Sequence, residues 1–332
     1  MKLAAGERVT KYTTKRHLGQ GGFGTVYEMR DDLIGRDCAL KFVENTNPAE
    51  FKAHYEGQVL HKCKHEYIVG VNSVDVVQAP SGEVYAVIDM EYCPEGSVQD
   101  LIEKEFISIR RALKIMIDVC FGLEHAHRQG ILHRDIKPAN IMIAWHRYKL
   151  SDFGLAKTNL VGSGVGTPAY AAPECFDDTT NIATEVYSAG MSLFQLCNNY
   201  DDLHDRIAST DIIKSGKVIE KVGYRDYVSK RIKTICNKAC ATDPNRRYKN
   251  IEEMRQAMER LRIAQNWERQ ADLHWTARVG TQTHEMIADG AGPIKTTYFI
   301  NGRRKVANCR TVADLEQARL LQHRWVADNT FN

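Results

Sequence analysis

Apolar and polar residues alternate in short runs over the first hundred residues of the chain. Residues 12 to 45 contain the runs TVYEMRD and RDCALKFV, and residues 84 to 92 form the run VYAVIDMEY. Alternation with a period of two is typical of β-strands. Residues 49 to 62 have a helical pattern instead. The first hundred residues are therefore predicted to be mostly strand with one helix.

After residue 100 the pattern becomes helical. In residues 109 to 128, apolar side chains recur at helical spacing, at Ala112, Ile115 or Met116, Val119 and Leu123. Residues 182 to 197 and 226 to 265 have the same character. A larger helical region is predicted to follow the β-rich region, with the junction near residues 91 to 97.

Residues 266 to 332 look different from both regions. Asn301-Gly302 stands between two alternating runs, which is a strong signal for a β-hairpin. The segment TVADLEQARLLQHRWVAD predicts a helix with Thr311 as its N-cap. The residues predicted to share one face of this helix are Val312, Leu315, Ala318 and Trp325. A module of this size buries little core alone, so we expect it to pack on the rest of the protein.

The composition is that of a soluble globular protein. Of the 332 residues, 43% are apolar and 26% charged, and the formal net charge is +3. That charge is too small to suggest a nucleic-acid or membrane partner. The N-terminus turns polar within a few residues, and the chain has no run of about 18 apolar residues. We therefore expect neither a signal peptide nor a spanning helix.

The nine cysteines are an odd number without paired-site spacing. Cys236 and Cys240 lie four residues apart in a predicted helix, and two core thiols are favoured over a zinc site. His125, His127 and His133 cluster in sequence, but a metal site is not favoured there either. The cysteine usage fits a reducing cytoplasm.

Two motifs in the β-rich region can bind phosphate. Residues Gly19 to Val26, GQGGFGTV, fit the pattern G-x-G-x-x-G-x-V between two predicted strands. Such glycines let backbone N–H groups approach phosphate oxygens, but they also mark simple hairpin turns. Lys41 lies in the middle of the apolar strand CALKFV. A lysine that points inward there needs an acidic partner, for which Glu56 is the candidate, whereas an outward lysine needs none.

Three further motifs follow along the chain. HRDIKPAN, residues 133 to 140, places Asp135 and Asn140 five residues apart in a stretch that suits a loop better than a helix or a strand. SDFGLAK follows with Asp152, and GTPAYAAPE occupies residues 166 to 174. An isolated Asp-Phe-Gly is common by chance, whereas the full set of motifs in this order is specific.

In this order and spacing, the five motifs resemble those of the eukaryotic-like protein kinases. HRDIKPAN is most similar to the bacterial serine/threonine branch of that family. The resemblance covers roughly residues 12 to 265 and implies a bilobal α+β protein-kinase fold. It implies a small β-rich N-lobe over residues 1–92 and a larger α-rich C-lobe over residues 93–265. The C-terminal β-hairpin/helix extension, 266–332, would then be a regulatory or substrate-docking element that packs on the kinase domain.

The resemblance also implies a reaction, the transfer of the γ-phosphate of ATP to Ser or Thr hydroxyls of proteins. By this resemblance Asp135 accepts or orients the proton of the attacking hydroxyl, and Lys137 neutralises charge on the transferred phosphate. Lys41 pairs with Glu56 and with phosphates of the nucleotide. A complete catalytic set argues against an inactive kinase fold.

Cofactor-binding residues follow from the same resemblance. Asn140 and Asp152 would hold Mg²⁺ ions that bridge the phosphates of ATP. Met90 would be the gatekeeper, and the backbones of Glu91 and Cys93 would hold adenine. The remaining nucleotide-binding residues implied are Gly19, Gln20, Gly21, Gly22, Phe23, Gly24, Val26, Ala39 and Lys41.

Regulation by phosphorylation is implied by Arg134, which in this family can bind a phosphate on the activation segment. Ser163 is predicted to be the main site, with Thr158 and Thr167 nearby. The alternative is that Ser163 is merely a serine of a flexible loop.

Two structural residues are implied as well. Glu174 is expected to pair with Arg247 of the DPNRRY segment. Glu185 stands where the family usually has Asp, in a buried helix that holds the catalytic loop. The extra methylene puts the rigidity of that loop in doubt, not the chemistry.

Other functions remain open on the sequence alone. The kinase fold could serve as a nucleotide-gated scaffold with the C-terminal extension as its working surface, or the substrate could be a small molecule or a nucleic acid. The segment around Thr167 argues against the latter. Two charged clusters are better explained as solvated turns than as binding surfaces: Asp201, Asp202 and Asp205, and Arg303, Arg304 and Lys305.

Overall fold

The structure is a computed structural model of the chain. It describes residues 1–21, 24–44, 47, 62–79, 82–153, 167–290 and 292–332. Several predicted sites lie outside the described residues, namely Gly22, Phe23, Glu56, Thr158 and Ser163, with nearly all of the helix predicted over 49–62.

The chain folds into two compact units. One unit comprises Met1–Val98 and Phe121–Ser163, and the other comprises Gln99–Cys120 and Gly164–Asn332. The first unit therefore contains the HRDIKPAN motif as well as the β-rich region. The lobe boundaries expected at residues 92 and 265 stay a prediction.

A six-stranded antiparallel sheet forms much of the first unit. Its strands are β1 (Arg8–Val9), β2 (Tyr12–Gly21), β3 (Gly24–Asp31), β4 (Arg36–Glu44), β5 (Val71–Gln78) and β6 (Val84–Glu91). They pair in the order β1-β2-β3-β4-β6-β5. The three alternating runs of this region all form strands, as their period predicts.

The two faces of this sheet differ in chemistry. Alternate residues of β4, Cys38, Leu40 and Phe42, belong to a buried apolar core on one face. Side chains alternate between faces along a strand, so Lys41 lies on the opposite face. Lys41 is only 4% exposed. The lysine therefore occupies the inward position that requires a partner.

A short hairpin follows the HRDIKPAN loop. Strands β7 (Ile141–Ala144) and β8 (Arg147–Leu150) pair antiparallel and are joined by Trp145 and His146. Both turn residues have left-handed backbone conformations, with φ of +50° and +68°. Such turns favour Asn and Gly. The ring of Trp145 is also 78% exposed, so this turn gains little from packing.

Replacing Trp145-His146 by Asn-Gly is expected to raise the free energy of unfolding by about 1–2 kcal/mol, because the left-handed conformation is costly for bulky residues. The chain itself uses Asn301 (φ +48°) and Gly302 (φ +71°) in another two-residue turn. Denaturant unfolding followed by circular dichroism measures the change. The reverse exchange at positions 301–302 is the matched control and should destabilise the protein. Equal stability of both variants and the wild type would contradict the prediction.

The second unit begins as a helical structure. The helices from residue 98 to residue 259 are α1 (Val98–Lys104), α2 (Ile109–Arg128), α3 (Ile182–Asn198), α4 (Thr210–Lys214), α5 (Val218–Val222), α6 (Lys230–Ala239) and α7 (Ile251–Glu259). Helix α2 continues into the first unit. It has the predicted bounds, and all the residues of its predicted apolar face are fully buried. The segment 226–265 is not one continuous helix, because Pro244 begins a separate short 3-10 turn between α6 and α7.

A second antiparallel sheet occupies most of the C-terminal extension. Its strands are β9 (Asn266–Ala271), β10 (His274–Val279), β11 (Gln282–Asp289), β12 (Ile294–Ile300), β13 (Arg303–Arg304) and β14 (Arg310–Val312). The order is β13-β12-β11-β10-β9, and β14 also pairs with β12. The predicted hairpin at Asn301-Gly302 is the β12–β13 connection. The remaining strands extend it into a full sheet.

Helix α8 (Leu315–Asn329) packs on one face of this sheet. Its N-cap is Asp314, whose carboxylate accepts a hydrogen bond from the Gln317 backbone N–H at 2.8 Å. The prediction of Thr311 as N-cap was wrong, because Thr311 belongs to β14. Leu315 is 52% exposed, so it does not share the buried face. That face is formed by Ala318, Gln322 and Val326, which are four residues apart.

Trp275 on β10 anchors the C-terminal sheet to the helical part of the same unit. Its ring is 1% exposed and contacts Phe106 and Tyr227, with ring centroids 5.3 and 5.5 Å away. It also contacts His323 of α8 at 5.7 Å. A backbone hydrogen bond of 2.9 Å from Ala264 N–H to the carbonyl of Thr330 adds a second tie. Residues 266–332 thus share a core with the helices.

Stability is expected to fall in mild acid because of His323. Burial lowers the pKa of His323 from its ordinary 6.5 to about 4. Between these pH values the unfolded chain binds a proton that the folded chain does not, so stability is lost as the pH falls through this window. We expect a loss of about 1–2 kcal/mol between pH 7 and pH 4, reduced by the partial exposure of the ring. Urea unfolding of the wild type and of His323→Gln checks this. The same pH dependence in both proteins would refute it.

All nine cysteines are free thiols, and eight of them are buried. Burial raises the pKa of Cys236 to about 12, as befits a core thiol. No group of three or more His, Cys, Asp or Glu side chains in the described residues is placed to hold a metal. Partial burial would raise the pKa of Cys309, but an N–H of Arg304 donated to the sulfur at 3.5 Å helps to hold it below its usual value.

Within the described ranges, no helix combines the length and the apolar character needed to cross a bilayer.

Candidate active site

The glycine-rich segment joins β2 to β3. Gly19 and Gln20 lie in β2 and are aligned with Val26 and Thr25 of β3. Gly24 has φ of +131°, and a Cβ placed on it would lie 2.2 Å from the carbonyl oxygen of Phe42. Only glycine fits there, so the segment passes close over the backbone of β4 beside Lys41.

Lys41 meets Asp152 in this unit. The Lys41 Nζ lies 2.9 Å from Oδ1 of Asp152, and the side chains are 5% and 27% exposed. Asp152 itself has φ of +64°, an unusual conformation for aspartate. Ala39, two residues before Lys41 in β4, is also buried. The predicted partner Glu56 lies outside the described residues, so the Lys41–Glu56 pair stays a prediction.

His133 ties the HRDIKPAN loop to the segment before Asp152. The ring is fully buried, and its Nε2 lies 2.8 Å from the carbonyl oxygen of Ser151. Its Nδ1 accepts a hydrogen bond from the Asp135 backbone N–H at 3.2 Å. Because a carbonyl only accepts, Nε2 carries the ring proton. The His133 ring also packs edge-on against the ring of Phe153, with the ring centroids 4.6 Å apart.

Two polar side chains converge on the carboxylate of Asp135. The Asn140 Nδ2 donates to Oδ2 and to the backbone oxygen of Asp135, at 2.9 and 2.8 Å. The Lys137 Nζ lies 2.8 Å from the same Oδ2. The backbone turns here through a short 3-10 helix, Pro138–Asn140, which explains why Asp, Lys and Asn come so close within one loop. The carboxylate is thus held in one orientation.

Asn140 and Asp152 fit the ligand chemistry of Mg²⁺. Both supply oxygen ligands, which this hard cation prefers. The Asn140 amide nitrogen is engaged by Asp135, which turns the amide oxygen to the other side. Ser151 N–H donates to the Asn140 carbonyl at 2.9 Å, so the backbone keeps Asn140 close to the residue before Asp152. Each of these two residues could therefore supply an oxygen ligand to a divalent ion.

The predicted adenine-binding segment lies at the end of β6. Met90 and Cys93 are buried, at 7% and 6% exposure. The backbone N–H of Glu91 donates to Gly70 at 2.7 Å. Its carboxylate accepts from Lys149 Nζ, with both oxygens 2.7 Å away. Burial raises the pKa of Cys93 to about 12, so this thiol is not a nucleophile.

Lys149 is a residue that the sequence reasoning missed. It fixes the Glu91 side chain across 58 positions of sequence. Lys149 lies in a four-residue strand, and no neighbouring residue in the sequence indicates that it contacts Glu91. The contact is apparent only from the folded positions of the two side chains.

The remaining predicted residues lie in the second unit, except Arg134. Arg247 donates to both carboxylate oxygens of Glu174, one at 2.9 Å, and the Arg247 side chain is fully buried. Glu185 is 2% exposed in the first turn of α3. Thr167 precedes the 3-10 turn Pro168–Tyr170. Arg134, in the first unit, has φ of +72° and stands directly before Asp135.

Known proteins show the same combination of fold and motifs. Residues 12–260 match the family described as the protein kinase domain. The chain belongs to the protein kinase family. The bilobal kinase fold expected from the resemblance is thereby confirmed.

Curated proteins similar to the chain include bacterial serine/threonine-protein kinases. PknJ of Mycobacterium tuberculosis is 34% identical over 215 residues, which are 59% of this chain and 35% of the relative. PknB of Mycolicibacterium smegmatis is 30% identical over 276 residues, which are 77% of this chain and 43% of the relative. The chain thus spans less than half the length of these relatives. The bacterial branch expected from HRDIKPAN is the branch found.

Solved structures agree on the fold. The kinase domain of PknI from Mycobacterium tuberculosis superposes with a TM-score of 0.60 at 23% identity. The match covers 78% of this chain and 98% of that one. At this identity the likeness concerns the fold alone. Residues after 260 lie beyond the family match.

Proposed function

We propose that the protein is a serine/threonine kinase that transfers the γ-phosphate of ATP to hydroxyl groups of protein side chains. The observation that carries the proposal is the contact of both Lys137 and Asn140 with the carboxylate of Asp135. In the same unit, Lys41 contacts Asp152. A scaffold without transfer activity has no use for this arrangement.

Asp135 positions the attacking hydroxyl and accepts its proton. The contacts from Lys137 and Asn140 leave the carboxylate little freedom, so the hydroxyl is aligned before reaction. The transition state of phosphoryl transfer carries charge on its equatorial oxygens. Lys137 neutralises part of that charge. Alignment and neutralisation together account for most of the catalysis expected of such a site.

Nucleotide and metal binding use the residues around Lys41. Asn140 and Asp152 would hold Mg²⁺, which when bound would neutralise charge on the phosphates. Lys41 contributes a cation at the phosphates, and the backbone of the glycine-rich segment contributes N–H donors. The backbones of Glu91 and Cys93 would hold adenine, with Met90 as the gatekeeper.

The substrate is a protein and the phosphate acceptor is Ser or Thr. Lys137, two residues after Asp135, and Thr167 before Ala172-Pro173-Glu174 support this choice, as in the sequence resemblance. Residues 266–332 are the candidate surface for a regulatory or recruiting partner. The nine free thiols support a reducing location such as the cytoplasm.

Phosphorylation of the activation segment regulates the enzyme in this proposal. Ser163 is the main site, with Thr158 and Thr167 as neighbours, and Arg134 binds the added phosphate. Mass spectrometry of active protein should find phosphate within residues 158–167. Active protein without phosphate there would defeat this part of the proposal.

Transfer of labelled phosphate tests the proposed activity. Protein is incubated with γ-labelled ATP and Mg²⁺, with and without a generic basic protein as acceptor, and compared with Asp135→Asn. We expect label on Ser and Thr in the wild type only, and none when EDTA removes the metal. Wild-type protein that binds ATP but transfers nothing to itself or to the acceptor would support the scaffold alternative.

A further inference from the structure

We infer that a groove on the outer face of the C-terminal sheet binds phosphorylated peptides. The groove has a volume of about 780 Å³ and lies over β9, β10 and β11. Most of its lining residues occupy the strand positions that alternate with the buried Trp267, Trp275 and His284. The groove therefore lies on the face away from α8. Its volume is that of a ligand-binding cleft.

One end of the groove is basic. Asn266, Arg278 and Thr283 are aligned in a row across the three strands. Arg110, near the start of α2, also lines the groove, and its backbone N–H donates to the Asn266 side chain at 3.2 Å. Both guanidinium groups are exposed. In the part of the chain that the structure describes, neither of them forms an ion pair.

This end has the chemistry of a phosphate site. Guanidinium groups offer forked N–H donors that match the oxygens of a phosphate. The amide of Asn266 and the hydroxyl of Thr283 add neutral hydrogen-bonding groups to the same row. The site is open to water, so a single negative charge would gain little there. A phosphomonoester carries nearly two negative charges, so it gains more binding free energy from the two guanidinium groups.

The neighbouring row of the groove is acidic. Glu268, Thr276 and Glu285 are aligned across the same strands, two residues along from the basic row. The Glu285 carboxylate lies 2.9 Å from Nε2 of His274. Two residues of a strand span roughly 6.6 Å. An extended peptide with a phosphorylated residue and a basic residue two positions away therefore matches both rows.

The balance of charge argues against nucleic acid as the ligand. Two arginines and two glutamates line the groove, so their formal charges cancel. A nucleic acid presents a phosphate at every step and would meet the glutamates as well. A phosphopeptide has charges of both signs and can satisfy both ends.

The inference deepens the proposed kinase function, because phosphorylated Ser or Thr is the product of that reaction. Such a groove would retain phosphorylated proteins, including further copies of this kinase, on the enzyme. Arg110 belongs to helix α2, so the basic end is complete only while the C-terminal sheet is docked. Binding itself does not require phosphate transfer.

Fluorescence anisotropy tests the groove with the full chain carrying Asp135→Asn, which removes transfer. The probe is a fluorescein-labelled peptide of sequence Ala-Lys-Ala-Ser-Ala-Lys-Ala, phosphorylated on its serine. We expect it to bind at least about 10-fold more tightly than the unphosphorylated peptide. Arg278→Gln should weaken binding of the phosphopeptide at least about 10-fold. Arg303→Gln, which removes an exposed arginine of the same sheet outside the groove, should not.

A second comparison tests the acidic end. Replacing both lysines of the phosphopeptide by alanine should weaken its binding to the protein that retains Glu268. The same replacement should have a smaller effect on binding to the Glu268→Gln variant. Arg278, Arg303 and Glu268 are all exposed, and a melting curve checks that each variant is folded.

Three results would overturn the inference: equal binding of the two serine peptides, phosphopeptide binding that survives Arg278→Gln, or tighter binding of a 12-nucleotide single strand that Arg278→Gln abolishes. The last result would assign the groove to nucleic acid. Because the binding protein lacks Asp135, failure of the kinase proposal would leave these measurements unaffected. Failure of the groove would equally leave transfer by the wild type intact.

Discussion

Asp152→Asn is expected to lower the rate of phosphate transfer by about 10³-fold or more. The substitution removes the charge that pairs with Lys41 at 2.9 Å and, in the proposed function, the principal anionic ligand of Mg²⁺. A bound metal contributes several kcal/mol to the stabilisation of transition-state charge. Steady-state transfer to a generic basic protein at saturating ATP measures the effect.

Asp177→Asn is the matched control, because Asp177 is an exposed carboxylate outside the five motifs and 25 residues after Asp152. It should leave the rate within about twofold of the wild type, as surface substitutions usually do. Binding of a fluorescent ATP analogue should lose its Mg²⁺ dependence in Asp152→Asn only. Retention of more than a tenth of the wild-type rate by Asp152→Asn would contradict the role given to this residue.

Trp275→Ala is expected to lower the free energy of unfolding by about 3–5 kcal/mol, because the cavity left by a buried tryptophan is only partly refilled. The ring is 1% exposed and touches Phe106, Tyr227 and His323. Its loss separates the C-terminal sheet from the helices with which it shares a core. Denaturant unfolding followed by circular dichroism gives the change.

Trp145→Ala is the matched control, because it makes the same substitution at a tryptophan that is 78% exposed. We expect a change within about 0.5 kcal/mol there. If residues 266–332 were an independent appendage, Trp275→Ala would leave the main unfolding transition unchanged and alter only a separate, minor one. A single transition shifted to lower denaturant would show that the extension and the helices unfold together.

Local patterns predicted the regular elements well where one face is buried. The spacing of apolar residues located α2 because each of them lies in the core. The pattern predicted too long a helix over 226–265, because the polar turn at Pro244 keeps a helix-like composition while the proline removes an N–H. Thr and Asp are both residue types that favour the N-cap position, so the sequence does not decide between Thr311 and Asp314. The pairing of Thr311 within β14 leaves Asp314 as the N-cap.

The motif residues of the candidate site were predictable because the chemistry fixes their spacing. Asp135, Lys137 and Asn140 meet within one loop, so sequence separation already limits their distance. The contact between Lys41 and Asp152 joins residues 111 positions apart, and no spacing rule could supply it. The phosphopeptide groove was equally hidden, because its rows consist of ordinary polar residues that gain meaning only from strand register.

The distribution of thiols makes the protein convenient for single-site labelling. Eight of the nine cysteines are buried, and the half-buried Cys309 has a lowered pKa, so a maleimide dye should attach at this position first. No cysteine would need to be removed by mutation. A dye at Cys309 would lie beside the C-terminal sheet. Energy transfer from a labelled nucleotide to this dye would then measure whether peptide binding changes the distance between the dye and the nucleotide.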